Sequence, residues 1–241
     1  MSEMQIEGPL VSGIFMERPN RFITLVSIDG EVHRAHLADP GRLKELLVPG
    51  VQLLLRRAPK DSKRKTKYSV VMMQQGEVWV SLVTTLANRF VATLLKNQAL
   101  PFLAGYELSR REVPYENHRF DFLLQSAEKK PLYLEVKSVT HVVDGLARFP
   151  DAVSARATAH VRVLTDMRKK GIDAAILFVC QRADAQRFAP MWEVDSAFAE
   201  ALCQAKKKGV EIYCINSRLT PQKMTFGRSI PVSVEHKRGR I

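Results

Sequence analysis

The sequence predicts an α+β protein of two units: a small β-barrel, then an α/β unit with a mixed central sheet. Two observations set that class. Up to about Val83 the apolar residues fall in short strand-like segments separated by turns, and after Thr84 helix-length stretches alternate with strands. A third observation bears on chemistry. The strand-like run Tyr133-Leu134-Glu135-Val136-Lys137 carries two opposite charges, on side chains two apart that share a face. Strands avoid both residue types, and a buried carboxylate or ammonium is costly unless it is paired or binds something.

The first unit reads as "LVSGIFME", "RFITLVSID", "EVHRAHLA", "VQLLLRR", "KYSVVMMQ" and "EVWVSLV", with hairpin signals at Asp29-Gly30 and Gln75-Gly76. Between the third and fourth strands, "DPGRLKELLVPG" predicts a short amphipathic helix over Arg42 to Leu47, closed by Pro49-Gly50. Five or six strands with one helix after the third is the layout of an OB-type barrel, which commonly binds oligonucleotides; an unrelated small barrel has the same strand count. The loop after the fourth strand, "RRAPKDSKRKTKY", holds Arg56, Arg57, Lys60, Lys63, Arg64, Lys65 and Lys67 against the single acid Asp61. On such a barrel it would contact phosphates, giving salt-sensitive affinity with little sequence readout, or stand as a solvated loop. Tyr68 and Trp79 either stack on bases or belong to the core.

From Thr84 on, "ANRFVATLLKNQAL" has helical spacing, with Phe90, Val91, Leu94 and Leu95 as its stripe. Three strands follow, near 106–113, 119–124 and 131–137. "SARATAHVRVLTDMRKK" predicts a long helix with Val153, Ala157, Val161 and Leu164 on one side and Gly171 closing it. "AAILFVC" is an apolar strand, "SAFAEALCQAKKKG" a helix stopped at Gly209, and "VEIYCIN" a last strand. The strands flanking that helix should be parallel neighbours with a right-handed crossover.

Composition narrows the function classes. The chain has 241 residues, 46% of them hydrophobic, and a formal net charge of +12, with a pI near 9.8. A balance this basic favours a polyanionic partner, nucleic acid or an anionic membrane surface. No apolar run approaches the roughly 20 residues needed to span a bilayer, and "MSEMQIEGPL" lacks the basic-then-apolar pattern of a signal peptide. The expectation is a cytoplasmic protein. Cys180, Cys203 and Cys214, with no CxxC or Cys/His spacing, read as reduced core residues.

Apolar register then collects the charges. Phe120, Phe122 and Leu124 of "RFDFLL" face Leu132, Leu134 and Val136 of "LYLEVK" when both sets are buried together. Pairing Phe122 with Leu134 and Phe120 with Val136 places Asp121 opposite Glu135, with Cβ atoms about 5 Å apart, and Lys137 one pleat on. Two carboxylates that close repel unless a proton or cation lies between them. Hard oxygen ligands suit Mg²⁺, and Lys137 would hold or deprotonate an attacking water or neutralise transition-state charge. The alternative is a cross-strand salt-bridge cluster of Lys137 with Glu135 or Asp121.

This pattern resembles the PD-(D/E)XK nuclease superfamily, whose core is an α-β-β-β-α-β unit with acids on the second and third strands. Over both halves the chain is similar to the sugar fermentation stimulation protein A family, through "RAHLADPGRLKELLVPG", "KRKTKYSVV", "WVSLVTTLANR", "RFDFLL", "YLEVKSVT" and "FPDAVSARATAH". The resemblance implies an OB-like domain over 1–84 and a nuclease-like domain over 85–241. It implies a sequence-nonspecific DNA-binding protein that regulates maltose metabolism, or else a Mg²⁺-dependent nuclease acting on DNA or RNA. Asp121 and Glu135 become the ligands of Mg²⁺ or Mn²⁺, and Lys137 joins them as the catalytic-type lysine. Arg156 and His160 are phosphate contacts or an exposed helix face. The superfamily often adds an acid from the first helix, where this chain has none; Glu107, Glu112 and Glu116 are candidate replacements that the spacing does not separate.

Overall fold

The strand patterns close on themselves in the first unit. In a computed structural model describing residues 2–59 and 61–236, β1 is Glu3–Gln5, β2 Leu10–Asn20, β3 Ile23–Ile28, β4 Glu31–His36, β5 Gln52–Arg57, β6 Tyr68–Gln75 and β7 Val78–Ser81. The order β4-β3-β2-β5-β6-β7, with a further β4–β6 pairing, makes β2 to β6 a closed five-stranded OB barrel that β7 extends. Closure leaves none of its five strands as a free edge. Asp29 and Gly30 both take positive φ, as a two-residue hairpin of this hand requires.

The predicted helix over Arg42–Leu47 is not formed. Leu43, Leu46 and Leu47 are spaced as a helical stripe and are all buried, but the segment is a single turn closed by Leu47 N–H on the Leu43 carbonyl. Leu43 has φ +51°, which ends helical propagation for a residue with a Cβ. The Arg18 guanidinium fixes the chain just before it, donating to the carbonyls of Asp39, Gly41 and Arg42.

The second unit comprises α1 Thr84–Lys96, β8 Glu107–Tyr115, β9 His118–Gln125, β10 Leu132–Val139, β11 Val142–Val143, β12 Leu146–Phe149, α2 Ala155–Lys169, β13 Asp173–Cys180, β14 Arg187–Pro190, α3 Ser196–Lys207, β15 Glu211–Leu219 and β16 Lys223–Ser229. Seven strands form one mixed sheet, β1-β16-β15-β13-β10-β9-β8. The pairs β10–β13 and β13–β15 are parallel, the latter across α3 as expected. From Ala174 on, β13 is apolar because both of its faces are covered. Ala175, Leu177 and Val179 join α1 on one side, while Ile176, Phe178 and Cys180 join α2 and α3 on the other.

Val153 does not belong to the α2 stripe. It precedes the helix, whose N-cap is Ser154, and is 71% exposed. Two long-range features bind the halves together. β1 leaves the barrel to pair with β16 at the far edge of the sheet, and Leu54, Val71 and Met72 of the barrel share one apolar core with Leu86, Phe90 and Leu94 of α1. The three cysteines are free; Cys180 and Cys214 are buried and Cys203 partly so. Among the described residues no helix is long and apolar enough to cross a membrane.

Candidate metal centre and nucleic-acid surface

The strands β9 and β10 pair as the apolar residues require, Leu124 with Leu132 and Phe122 with Leu134. There the ladder stops. The Val136 N–H donates to Asp121 Oδ2 at 2.7 Å, so a side chain takes the bond that a main-chain partner would make. Asp121 and Glu135 are therefore neighbours across a splayed gap and not ladder partners. Phe120 does not pair with Val136; it turns to the opposite core, where its ring lies 5.4 Å from that of His160.

Helices from both faces of the sheet reach into the gap. Asn88 of α1 donates to Asp121 Oδ1 at 2.5 Å. His160 of α2 is buried and places Nδ1 2.7 Å from Glu135 Oε1. A carboxylate only accepts, so Nδ1 carries the proton. The Lys137 ammonium donates to the same oxygen at 2.5 Å. Glu135 Oε2 is buried with no hydrogen-bond partner.

The electrostatics follow from this uneven sharing. Burial pushes Glu135 up, but the His160 hydrogen bond and the Lys137 charge hold its carboxyl below the usual range. Burial, then the Glu135 charge, raises Asp121 to about 6 against the pull of the Val136 N–H, Lys137 and Asn88. A buried and a half-buried acid side by side, the buried one with an unpartnered oxygen, form a site short of positive charge. Among the described residues no three His, Cys, Asp or Glu side chains form a closed metal cage. Two carboxylates are nevertheless the donor set that Mg²⁺ uses when it keeps several waters, so the residues present fit such an ion.

Lys137 and Glu135 make the salt bridge foreseen as the alternative to a metal site. Asn88 and His160 come from outside the strand pair. His160, weighed as a phosphate contact or exposed helix face, is buried and so is no exposed face; its Nδ1 is turned to Glu135. Glu112 pairs with Arg119, Glu116 with Lys170, and Glu107 is exposed; among the described residues none of the three groups with Asp121 and Glu135 as a third acid.

The basic loop is less uniform than its composition. Arg57, Lys63, Arg64, Lys65 and Lys67 are exposed. Arg56 is held by the carbonyl and carboxylate of Glu7, and Arg64 donates to Ser69 Oγ. Lys60 lies outside the described residues. Tyr68 is buried, and Trp79 packs against the core of α1. Arg156 is exposed on the first turn of α2, the helix that holds His160.

Comparison with known proteins places both halves. Residues 16–82 match the family description "SfsA N-terminal OB domain", and residues 85–223 match "Sugar fermentation stimulation protein RE domain". A sugar fermentation stimulation protein homolog of Chloroflexus aggregans is 44% identical over 93% of this chain and 85% of its own length. One from Moorella thermoacetica is 40% identical over 96% and 99%. The solved structure of Pyrococcus furiosus SfsA in complex with Ca²⁺ superposes with TM-score 0.87 at 26% identity, over 97% of this chain and 99% of that one.

Proposed function

This chain belongs to the sugar fermentation stimulation protein family, and on that premise we propose that it binds DNA without sequence readout and holds a divalent cation between Asp121 and Glu135. The observation that carries the reading is the adjoining carboxylates of Asp121 and Glu135, with the buried Glu135 Oε2 left unpartnered. The Ca²⁺ complex of the Pyrococcus furiosus relative supports a hard divalent ion; Mg²⁺ or Mn²⁺ suits the two-carboxylate set in the cell. The proposed division of labour gives residues 1–84 to nucleic-acid binding and 85–241 to the cation site. Arg57, Lys63, Arg64, Lys65 and Lys67 would contact phosphates, as would Arg56 and Arg156, and the net charge of +12 favours this. The names of the relatives point to sugar fermentation; regulation of sugar metabolism, maltose in particular, in the cytoplasm is the proposed setting.

Calorimetric titration with Mg²⁺, Mn²⁺ and Ca²⁺ tests the cation site. One saturable site is expected in the wild type, and none in Asp121→Asn or Glu135→Gln; equal binding by either variant removes the assignment. DNA affinity should fall steeply with salt and hardly change with sequence. A salt-insensitive or strongly sequence-selective protein would contradict the DNA reading.

The Lys137 ammonium beside both acids favours a second reading, phosphodiester hydrolysis in DNA or RNA. A bound divalent cation supplies charge to a phosphate oxygen. Lys137 is placed to hold a water or to neutralise developing negative charge, while His160 and Asn88 fix the two carboxylates. Cleavage of single-stranded, double-stranded or RNA substrates that disappears in Lys137→Ala supports this reading. Equal cleavage by the variant, or none on any substrate, excludes it.

A further inference from the structure

Between the barrel and the nuclease-like unit runs a cleft of about 940 Å³, near the top of the roughly 300–1,000 Å³ usual for ligand sites. Five arginines line it, and two of them already have partners. Arg18 is held by main-chain carbonyls, and Arg148 by Glu193. Arg21, Arg42 and Arg156 are exposed and, among the described residues, their guanidinium groups make no hydrogen bond or ion pair. They come from three separate segments: the β2–β3 turn, the loop after β4 and the first turn of α2.

The two acids of the cleft do not oppose these charges freely. Asp39 Oδ1 accepts the Gly41 N–H at 2.8 Å, and Asp151 Oδ2 accepts the Leu43 N–H at 3.3 Å. Both brace the loop that presents Arg42. They also leave no room there for a side chain: a Cβ on Gly41 would lie 2.5 Å from Asp151 Oδ2. The β2–β3 turn is braced as well. Asn20 Oδ1 accepts the Phe22 N–H, and the Phe22 carbonyl accepts the Leu37 N–H. On that fixed turn Phe22 is 49% exposed, with the Arg21 guanidinium 5.8 Å from its ring centroid. An exposed aromatic on a rigid turn beside free arginines is a stacking platform for a base.

The far end of the cleft adjoins the carboxylate site. Thr84, four residues before the Asp121 partner Asn88, lines it, as does Ser138, next to Lys137. Arg156 lines both this cleft and a smaller hollow that includes His160. Neither α1 nor α2 has an acid in its first turn where it opens into the cleft.

The geometry points to this cleft as the path of a single strand of nucleic acid, with its phosphates on Arg21, Arg42 and Arg156 and a base on Phe22, leading toward Asp121 and Glu135. The inference rests on the nucleic-acid reading above and moves its main contact from the β5–β6 loop to the cleft between the units. Phe22 stands on the turn beside Arg21, which lines the cleft. An exposed ring engages the open bases of a single strand, whereas the bases of a duplex are already stacked on one another.

The test is fluorescence anisotropy with labelled oligo-dT of about 20 nucleotides, longer than the roughly 4–16 that one OB fold covers, beside a hairpin duplex of equal charge. Four proteins are compared: wild type, the triple variant Arg21→Ala/Arg42→Ala/Arg156→Ala, the single variant Phe22→Ala, and the loop variant Lys63→Ala/Lys65→Ala/Lys67→Ala. The single strand should bind the wild type more tightly than the duplex. The triple variant should lose at least about tenfold in affinity and about two units of salt slope, three contacts at ~0.7 each. Phe22→Ala should lose about tenfold without changing the slope, as a stacking contact does. Wild-type affinity in the triple variant and in Phe22→Ala, with loss only in the loop variant, overturns the cleft and leaves the DNA reading standing. Tighter binding of the duplex by the wild type overturns the single-strand assignment. No salt-dependent binding by the wild type removes both.

Discussion

Asp39 sits buried in the wall of the interdomain cleft, its carboxyl raised to about 6. Burial is the main cause; Asp151 and Glu45 push the same way, while the Gly41 N–H and Arg18 oppose them. In the unfolded chain the group titrates near its ordinary value of 3.8, so between about pH 4 and 6 the folded protein binds more protons than the unfolded one. Its contribution to stability is complete below the lower value and is lost as pH rises through the upper one. Asp39→Asn keeps an oxygen for Gly41 and removes the charge. Relative to wild type, the variant should gain about 2 kcal/mol between pH 4 and pH 7.5, read as the difference in denaturant midpoints; parallel curves would refute it. His160 acts in the opposite sense, as a partner whose loss leaves a charge exposed to the core. His160→Ala removes a hydrogen bond to buried Glu135 and the ring packed on Phe120, and should destabilise by about 2–4 kcal/mol. Asp121, Glu135 and Lys137 could be gathered from the sequence because apolar alternation sets the Leu124–Leu132 and Phe122–Leu134 pairs beside them; the break in the ladder at Phe120 could not be read that way. Nor could Asn88 and His160, because each arrives from a helix whose docking no strand period encodes.

At the scale of elements, the joint between α2 and α3 shows how one side chain places another. Asp195 is buried and N-caps α3 by accepting the Phe198 N–H at 2.9 Å, and its other oxygen accepts the Ser154 N–H at 2.8 Å. Ser154 in turn caps α2 through the Ala157 N–H. The helix carrying Arg156 and His160 is thus anchored to the start of the next helix. Ser154→Ala should cost about 1 kcal/mol, an ordinary cap. Asp195→Ala leaves two donors unsatisfied and should cost about 2–3 kcal/mol. Urea unfolding of the two variants checks the ranking, and equal costs would separate the caps. These long elements could be read from apolar period and caps. The loop at 42–47 could not, because leucines spaced like a helical stripe reach the barrel core from one turn bent at Leu43. The edge strands β1 and β14 escaped for a similar reason: each is defined by a partner distant in the chain.

For the whole molecule, the barrel and the seven-stranded sheet do not behave as beads on a string. Leu54, Val71 and Met72 lie on the outside of the barrel, yet all are buried in the core of α1 and the seven-stranded sheet. Glu45 of the barrel meets His141 at 2.8 Å, and the Ser81 N–H donates to the Gln181 carbonyl. β1 then carries the chain start across to β16, where Glu3 pairs with Lys223 and Ile6 is buried. Cutting after residue 84 would open the core that Leu86, Phe90, Val91 and Leu94 share with Leu54, Val71 and Met72. At roughly 1.5–3 kcal/mol for each large apolar side chain fully uncovered, the loss is comparable with the roughly 5–15 kcal/mol by which domains are stable at all. Calorimetry of the intact protein should therefore show one unfolding transition, with calorimetric and van't Hoff enthalpies equal. The fragment 85–241 expressed alone should lack a cooperative melt. Removing only residues 1–7 should leave a single transition at lower temperature, since it takes away three β1 pairs, Ile6 and the Glu7 partner of Arg56 and Arg89. Two resolved transitions in the intact protein, or a cooperative melt in the fragment, would mean that the barrel is an independent unit, and the walls of the cleft would then be free to move apart.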